Sequence, residues 1–145
     1  TTGLRFFTVY GPWGRPDMAL FKFTKNIISD KPIDVYNHGK HSRSFTYIDD
    51  IIESIIRLIN LDDFKSKYSI FNIGGEDTID LMDYISAIEN ELSLKGKYEF
   101  LPMQLGDVEK TVADSNNLKE KIKFSPKTDL TIGIKNFIDW YKSYY

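Results

Sequence analysis

Apolar residues along this chain change rhythm several times, and each change marks an expected element. Residues 2–10 (TGLRFFTVY) are dense in aromatic and β-branched side chains with little alternation. That is the pattern of a strand buried on both faces, as in a parallel sheet. A loop holding Gly11, Pro12, Gly14, Arg15, Pro16 and Asp17 breaks the run. Over 18–29, Met18, Phe21, Lys25 and Ile28 share one helical face, and Pro32 ends the segment. Residues 32–48 (PIDVYNHGKHSRSFTYI) read as a hairpin-like unit, two β-rich runs flanking Asn37-His38-Gly39-Lys40. Ile48, Ile51, Ile52, Ile55, Ile56 and Ile59 then form a full helical stripe. Thr46 and Asp49 before it have capping-box spacing, with Asp in place of Glu.

Residues 68–75 (YSIFNIGG) predict a short strand ending in a glycine turn. Asp80 is the expected cap of a helix that turns Leu81, Ile85, Ile88 and Leu92 inward. Residues 97–102 (KYEFLP) predict a strand stopped by Pro102, residues 104–118 a polar connection, and residues 115–122 a short helix. The last helix starts near Asp129, with Ile134, Phe137, Ile138 and Tyr141 on one face. No internal repeat is present. The pattern is α/β with one hairpin. Its lone first strand calls for a sheet whose partners are expected upstream.

Composition narrows the classes. Of 145 residues, 41% are hydrophobic and 28% charged, which suits one domain with a real core rather than disorder. A net charge of -2 argues against a nucleic-acid surface. The absence of cysteine removes disulfides and thiolate metal sites, in keeping with a reducing cytoplasm. The richest apolar run, 48–61, is cut by charges, so no membrane span is expected, and no secretory-signal pattern opens the chain. The first residue is Thr1 and a strand follows at once, which leads us to expect a segment of a longer protein.

Several motifs fail on context. Gly11-Pro12-Trp13-Gly14 has no third glycine in place, and Pro12 lacks the N–H that a phosphate would need. Gly74-Gly75 reads as a turn. Tyr36 and Lys40 have the spacing of a Tyr/Lys acid–base pair, but straddle a glycine turn instead of sharing a helix face. His38 and His41 have no companions for zinc. What remains is a scatter of polar residues at strand ends: Thr8, Arg15, Tyr36, Arg43, Gln104 and Asp107. Ligands of α/β proteins bind beyond strand ends, arginine forks onto phosphate or carboxylate, and an aromatic ring stacks a base. The pattern alone also fits surface arginines and core aromatics.

These residues carry a resemblance. The runs LRFFTVYGPWGRPDMA, GKHSRSFTYIDDI, FNIGG, LGDVEKTVAD and FIDWYKSYY are similar, in this order, to nucleotide-sugar epimerases and dehydratases of the extended short-chain dehydrogenase/reductase superfamily. RFFTVYGPWGRPDMA resembles the UDP-glucuronate 4-epimerases in particular. The resemblance covers essentially the whole chain. It implies an N-terminal NAD-binding Rossmann domain and a C-terminal substrate-binding domain in the parent. Residues 1–17 would be the end of the Rossmann domain and a substrate loop, and residues 18–145 mainly the sugar-nucleotide domain. The glycine-rich loop and the catalytic Tyr/Lys would lie before Thr1, so the chain alone is expected to be inactive. The parent would move hydride from sugar C4 to NAD and return it to the opposite face of a 4-keto intermediate. The resemblance further implies a cytoplasmic homodimer serving polysaccharide biosynthesis, with a UDP-sugar as partner and neither nucleic acid nor membrane.

Residue by residue, the resemblance sets Phe6 and Phe7 against the nicotinamide. Only one of them can face it, since neighbours on a strand point oppositely. Thr8 would face the substrate, and Arg15 would reach the sugar carboxylate. Lys22 and Phe23 would line the nucleotide pocket, with Val35 and Tyr36 holding uracil. Arg43 would meet the diphosphate and Asp107 the ribose. Gln104 stands where many relatives carry Arg. Oxidising C4 of glucuronate makes a β-keto acid, which loses CO2 when the C5–carboxyl bond stands perpendicular to the carbonyl plane. A rigid Arg15 would prevent that alignment; alternatively Arg15 only caps the loop. Rival readings are a decarboxylase or 4,6-dehydratase on the same scaffold, or a non-catalytic sugar-nucleotide-binding module.

Overall fold

The computed structural model describes residues 1–61 and 67–145. The protein is α/β, and its strands are short and paired over long distances. Strand β1 (Thr2–Phe6) lies parallel to β6 (Ser69–Ile73), in register from Thr2↔Ser69 to Phe6↔Ile73. Strand β2 (Val9–Tyr10) lies parallel to β5 (Thr46–Tyr47). The opening run is therefore two strands with different partners, broken at Phe7 and Thr8. The expectation that its partners lie outside the chain is overturned for β6. Burial on both faces is overturned too: Thr2, Arg5 and Phe6 are exposed, Phe6 by 51%. One ladder covers one edge, and apolar composition alone does not say which faces are covered.

The expected hairpin over 32–48 does not form. Strand β3 (Pro32–Val35) runs parallel to β8 (Lys97–Phe100). Strand β4 (Ser42–Arg43) pairs antiparallel with β7 (Ile79–Asp80) and parallel with β9 (Lys110–Thr111). The turn between β3 and β4 is real, a 3₁₀ segment at Tyr36–Gly39 with Asn37 and His38 left-handed. It sends the two arms to different sheets. Strand β9 sits inside the stretch that composition marks as a polar connection.

Among the described residues, five α-helices complete the fold. Helix α1 (Ala19–Ile28) buries Leu20, Phe21, Phe23, Thr24 and Ile27. Its buried face is rotated from the expected one: Lys25 and Ile28 are exposed, because Leu20, Phe23 and Ile27 with Phe21 carry the larger apolar stripe. Helix α2 (Ile48–Ile59) buries Ile51 and Leu58, while Ile52, Ile56 and Ile59 face outward. Its N-cap is Tyr47, not Thr46, whose hydroxyl instead accepts from the Gly75 N–H at 3.1 Å. Helix α3 (Leu81–Leu92) turns Tyr84, Ile85, Ile88 and Leu92 inward, and Asp80 stands at its N-cap position without a side-chain capping bond. Helix α4 is Asn116–Ile122. Helix α5 (Leu130–Tyr144) buries Ile134, Phe137, Ile138 and Tyr141 as its periodicity predicts, and Asp129 Oδ1 accepts from the Thr131 N–H at 2.8 Å to cap it.

Two cores result. The larger packs α1, α3 and α5 around β2, β3 and β5, with Tyr10, Tyr47 and Tyr84 at its centre. The smaller packs α2 and α4 on β6 through Ile51, Leu58, Phe71, Ile73, Leu118 and Ile122. Among the described residues no helix is long and apolar enough to cross a membrane.

Candidate functional site

The break between β1 and β2 is where the site begins. Phe7 is held by its N–H to the Ile73 carbonyl at 3.0 Å, and the Thr8 carbonyl accepts from the Thr46 N–H at 2.9 Å. The chain is therefore fixed on both sides of Thr8, which is half-buried. Beyond β2 it turns at once. Gly11 has φ +138°, and a side chain there would bring its Cβ within 2.6 Å of Ile48 Cγ2, so the turn requires glycine. Two turn bonds shape the loop from there to α1, Gly14 N–H to the Gly11 carbonyl and Met18 N–H to the Arg15 carbonyl, both 3.1 Å. The stiffness that two prolines suggest is thus reinforced by hydrogen bonds.

Phe6, Phe7, Thr8 and Arg15 line one cavity of about 500 Å³, together with Trp13 and Met18. Four positions that the resemblance assigns to the nicotinamide and to the sugar thus meet in one place. Arg15 itself is exposed. One of its guanidinium nitrogens lies 3.2 Å from Asp17 Oδ2 and 3.4 Å from Met18 Sδ. An exposed pair of this kind contributes about 0–1 kcal/mol, so the fork remains available to a second carboxylate. Tyr10 reaches toward the same region from the core. Burial first, then the nearby Asp50 and Asp129 charges, push its phenol well above the usual tyrosine range. It therefore stays protonated and is no proton acceptor at neutral pH.

A second cluster forms around Arg43. Its guanidinium donates to Asp107 Oδ1 at 2.9 Å and to the carbonyls of Ser42, Val108 and Glu109 at 3.0, 2.6 and 2.8 Å. The other Asp107 oxygen lies 3.3 Å from Nε2 of His41, which is buried. Gln104 belongs to the same turn, its carbonyl accepting from the Asp107 N–H at 3.2 Å, with its side chain exposed. Arg43 and Asp107 are thus in contact, although they lie on distant parts of the chain. The two clusters adjoin through residues 43–46: Arg43 is on β4, and Thr46 bonds the backbone of Thr8.

The remaining candidates are more scattered. Tyr36 is half-buried at the end of β3 and begins the 3₁₀ turn. Val35 is fully buried in the larger core, and its carbonyl accepts from the Leu101 N–H at 3.0 Å. Phe23 is also a core residue, whereas Lys22 lies on the exposed face of α1. Val35 and Phe23 are therefore core residues. His41 is the residue that sequence reasoning misses, since it weighs this histidine only as a metal ligand. It directly precedes β4, two positions before Arg43, and an extended backbone sets such residues on one face, which is the usable signal.

Comparison with known proteins gives a consistent set. The model of the NAD dependent epimerase/dehydratase family matches residues 1–74. Protein CapI of Staphylococcus aureus is 47% identical over 160 residues, covering 100% of this chain and 48% of that protein. UDP-glucuronate 4-epimerase 1 of Arabidopsis thaliana is 41% identical, covering 99% of this chain and 37% of that protein. The crystal structure of a UDP-glucuronic acid 4-epimerase from Bacillus cereus, in complex with UDP-glucuronic acid and NAD, superposes with a TM-score of 0.91 at 33% identity. It covers 98% of this chain and 45% of that one. The chain spans about half the length, or less, of the relatives it matches.

Proposed function

Because the chain belongs to the NAD dependent epimerase/dehydratase family, we propose that it forms the C-terminal portion of an NAD-dependent UDP-glucuronate 4-epimerase and supplies its sugar-nucleotide binding and choice of sugar. The names of its relatives and of the solved neighbour support this reading. The single observation that carries it is the cavity shared by Phe6, Phe7, Thr8 and Arg15. Residues 1–17 then close the cofactor side and carry the sugar loop, and residues 18–145 mainly hold the nucleotide.

The residues present fit NAD at its nicotinamide end. Phe6 and Phe7 both line the cavity where the backbone of Phe7 is fixed to β6, and one of the two rings faces the nicotinamide. NAD supplies the acceptor and donor of hydride at sugar C4. The chain's own residues hold the sugar. Thr8, fixed between β1 and β5, offers a hydroxyl to it. Arg15 leaves Asp17 and forks onto the glucuronate carboxylate. So held, the C5–carboxyl bond is kept out of the alignment in which the 4-keto sugar would lose CO2. Arg43 and Asp107 take the diphosphate and ribose, with Tyr36 on the uracil. The proton acceptor is a residue outside this chain.

Arg15→Met in the full-length enzyme tests the reading. UDP affinity should barely change, while turnover of UDP-glucuronate falls about 10- to 1000-fold, or about 1.4–4 kcal/mol of transition-state stabilisation. The preference over neutral UDP-glucose should shrink in parallel. Mass spectrometry of the products should show more decarboxylated sugar per turnover. Equal losses on both sugars would leave Arg15 as a loop support and remove the substrate assignment.

A further inference from the structure

We propose that Trp13 is a positioning residue, seated on the last turns of α5, that holds the Arg15 loop in place. Its backbone has φ +62°, a left-handed conformation that is uncommon for a bulky side chain and must be held by its surroundings. The side chain is 70% exposed, yet its ring centroid lies 5.3 Å from that of Trp140 and 5.1 Å from that of Tyr144. Trp140 and Tyr144 stack on each other at 5.8 Å and 24°. Trp140 rests in turn on Phe137, a core residue, at 5.4 Å. A line of rings thus runs from the core to the loop.

The loop has few other ties. Its polar contacts within itself are the two turn bonds and the exposed contacts of Arg15 with Asp17 and with Met18 Sδ. Gly11 fixes where it leaves β2, and α1 fixes where it ends. Between those points Trp13 joins it to another helix, two positions from Arg15. Edge and offset contacts between rings give a directional attachment. The guanidinium's position is therefore set by the far end of α5. This role rests on the reading of Arg15 given above, but the attachment itself does not.

The test uses Trp13→Ala, Tyr144→Ala and Trp13→Phe in the full-length enzyme, with two measurements. Hydrogen exchange at the Gly14 and Met18 amides should quicken about 10-fold or more in both alanine variants, and stay near wild type in Trp13→Phe, which keeps a ring. Unchanged exchange in the alanine variants overturns the attachment, whatever the substrate. If Trp13→Ala fails to fold, Tyr144→Ala decides, because its exposed ring lies near the chain end. The second measurement is the ratio of kcat/KM for UDP-glucuronate to that for UDP-glucose, with UDP affinity as control. The ratio should fall about 5- to 50-fold in either alanine variant, with little further loss in the double variant. A faster-exchanging loop with an unchanged ratio overturns the positioning role. A wild-type enzyme that turns over neither sugar defeats the functional reading alone, and the exchange measurement still decides the attachment.

Discussion

Arg43 holds its own loop and, in the proposed enzyme, a ligand as well. Its donors already reach Asp107 and three backbone carbonyls, so it shapes the turn that carries Asp107. Replacing it by alanine leaves a carboxylate without its cation. We expect Arg43→Ala to weaken UDP and UDP-glucuronate binding alike by about 2–5 kcal/mol. Calorimetry with UDP reads this directly, and an unchanged affinity in a folded variant rejects the role. Glu89 makes a different case, of stability alone. It is 2% exposed and accepts from Lys95 Nζ at 2.7 Å, from the Gly96 N–H at 2.8 Å and from the Tyr98 hydroxyl. Burial would raise its carboxyl pKa, but these donors outweigh it and hold the group below the usual range. Burial and Glu89 together push Tyr98 up to about 12, so it remains a donor. A depressed folded pKa stabilises the fold above the unfolded value and loses that contribution as pH falls through the folded one. Unfolding free energies of wild type and Glu89→Gln from urea titration should differ by about 1–3 kcal/mol at pH 7, and the gap should shrink as pH falls below the ordinary glutamate value of about 4.3. Most of the gap comes from Gly96 and Tyr98, since Lys95 is exposed and screened. A gap that does not shrink with falling pH would contradict this. Residues of recognisable chemistry such as Arg43 and Asp107 are legible in the sequence. Their contact with each other is not, and neither is the place of His41, because distant chain segments bring them together.

Among elements, α5 is the most legible and the hairpin the least. The face of α5 and its Asp129 cap are local properties, set by residues three and four apart. The pairing of β3 with β8, and of β4 with β7 and β9, depends on partners that no local pattern names. Composition marks the turn around Gly39 correctly, but it offers the two arms no partner except each other. Helix α2 shows the same limit on one element: its isoleucine stripe predicts a helix, not how much of the stripe is covered. The packing of α5 also carries a prediction. A Cβ on Gly133 would stand 2.4 Å from the Tyr10 hydroxyl oxygen and 2.7 Å from its nearest ring carbon. Tyr10 is buried and packed against the rings of Phe45, Tyr47 and Tyr84. Alanine normally favours a helix over glycine by about 1 kcal/mol, but overpacking here costs about 1–3 kcal/mol. Gly133→Ala should therefore lower stability, and Tyr10→Phe should rescue it only in part, because the ring stays close. A raised urea midpoint for Gly133→Ala would show that α5 can shift away from Tyr10.

For the whole molecule, the outward side of α2 is the feature with the widest effect. Ile52, Ile56 and Ile59 are exposed, Ile59 by 74%, and Phe6 and Ile70 are exposed on the β1–β6 ladder. Scattered apolar residues are ordinary, but three spaced along one helix face form a stripe. The 145-residue chain should therefore self-associate at micromolar concentrations, and Ile56→Lys with Ile59→Lys should return it toward monomer with unchanged circular dichroism. Sedimentation velocity decides, and a wild-type monomer at about 50 µM would refute the expectation. The strand pairings bear on how such a chain reaches its structure at all. Among the described residues no strand pairs with its neighbour in sequence, and the shortest-range ladders join Val9 to Thr46 and Ser42 to Asp80. Loop-closure entropy must be met before any of these contacts forms, which places folding in the slow range of about milliseconds to seconds. During synthesis β1 emerges before Ser69–Ile73 and must wait for it to pair. Strand β4 can pair first with Ile79–Asp80 and waits about as long as β1 for Lys110–Thr111. The helices, whose contacts are local, are ready well before the ladders that arrange the site.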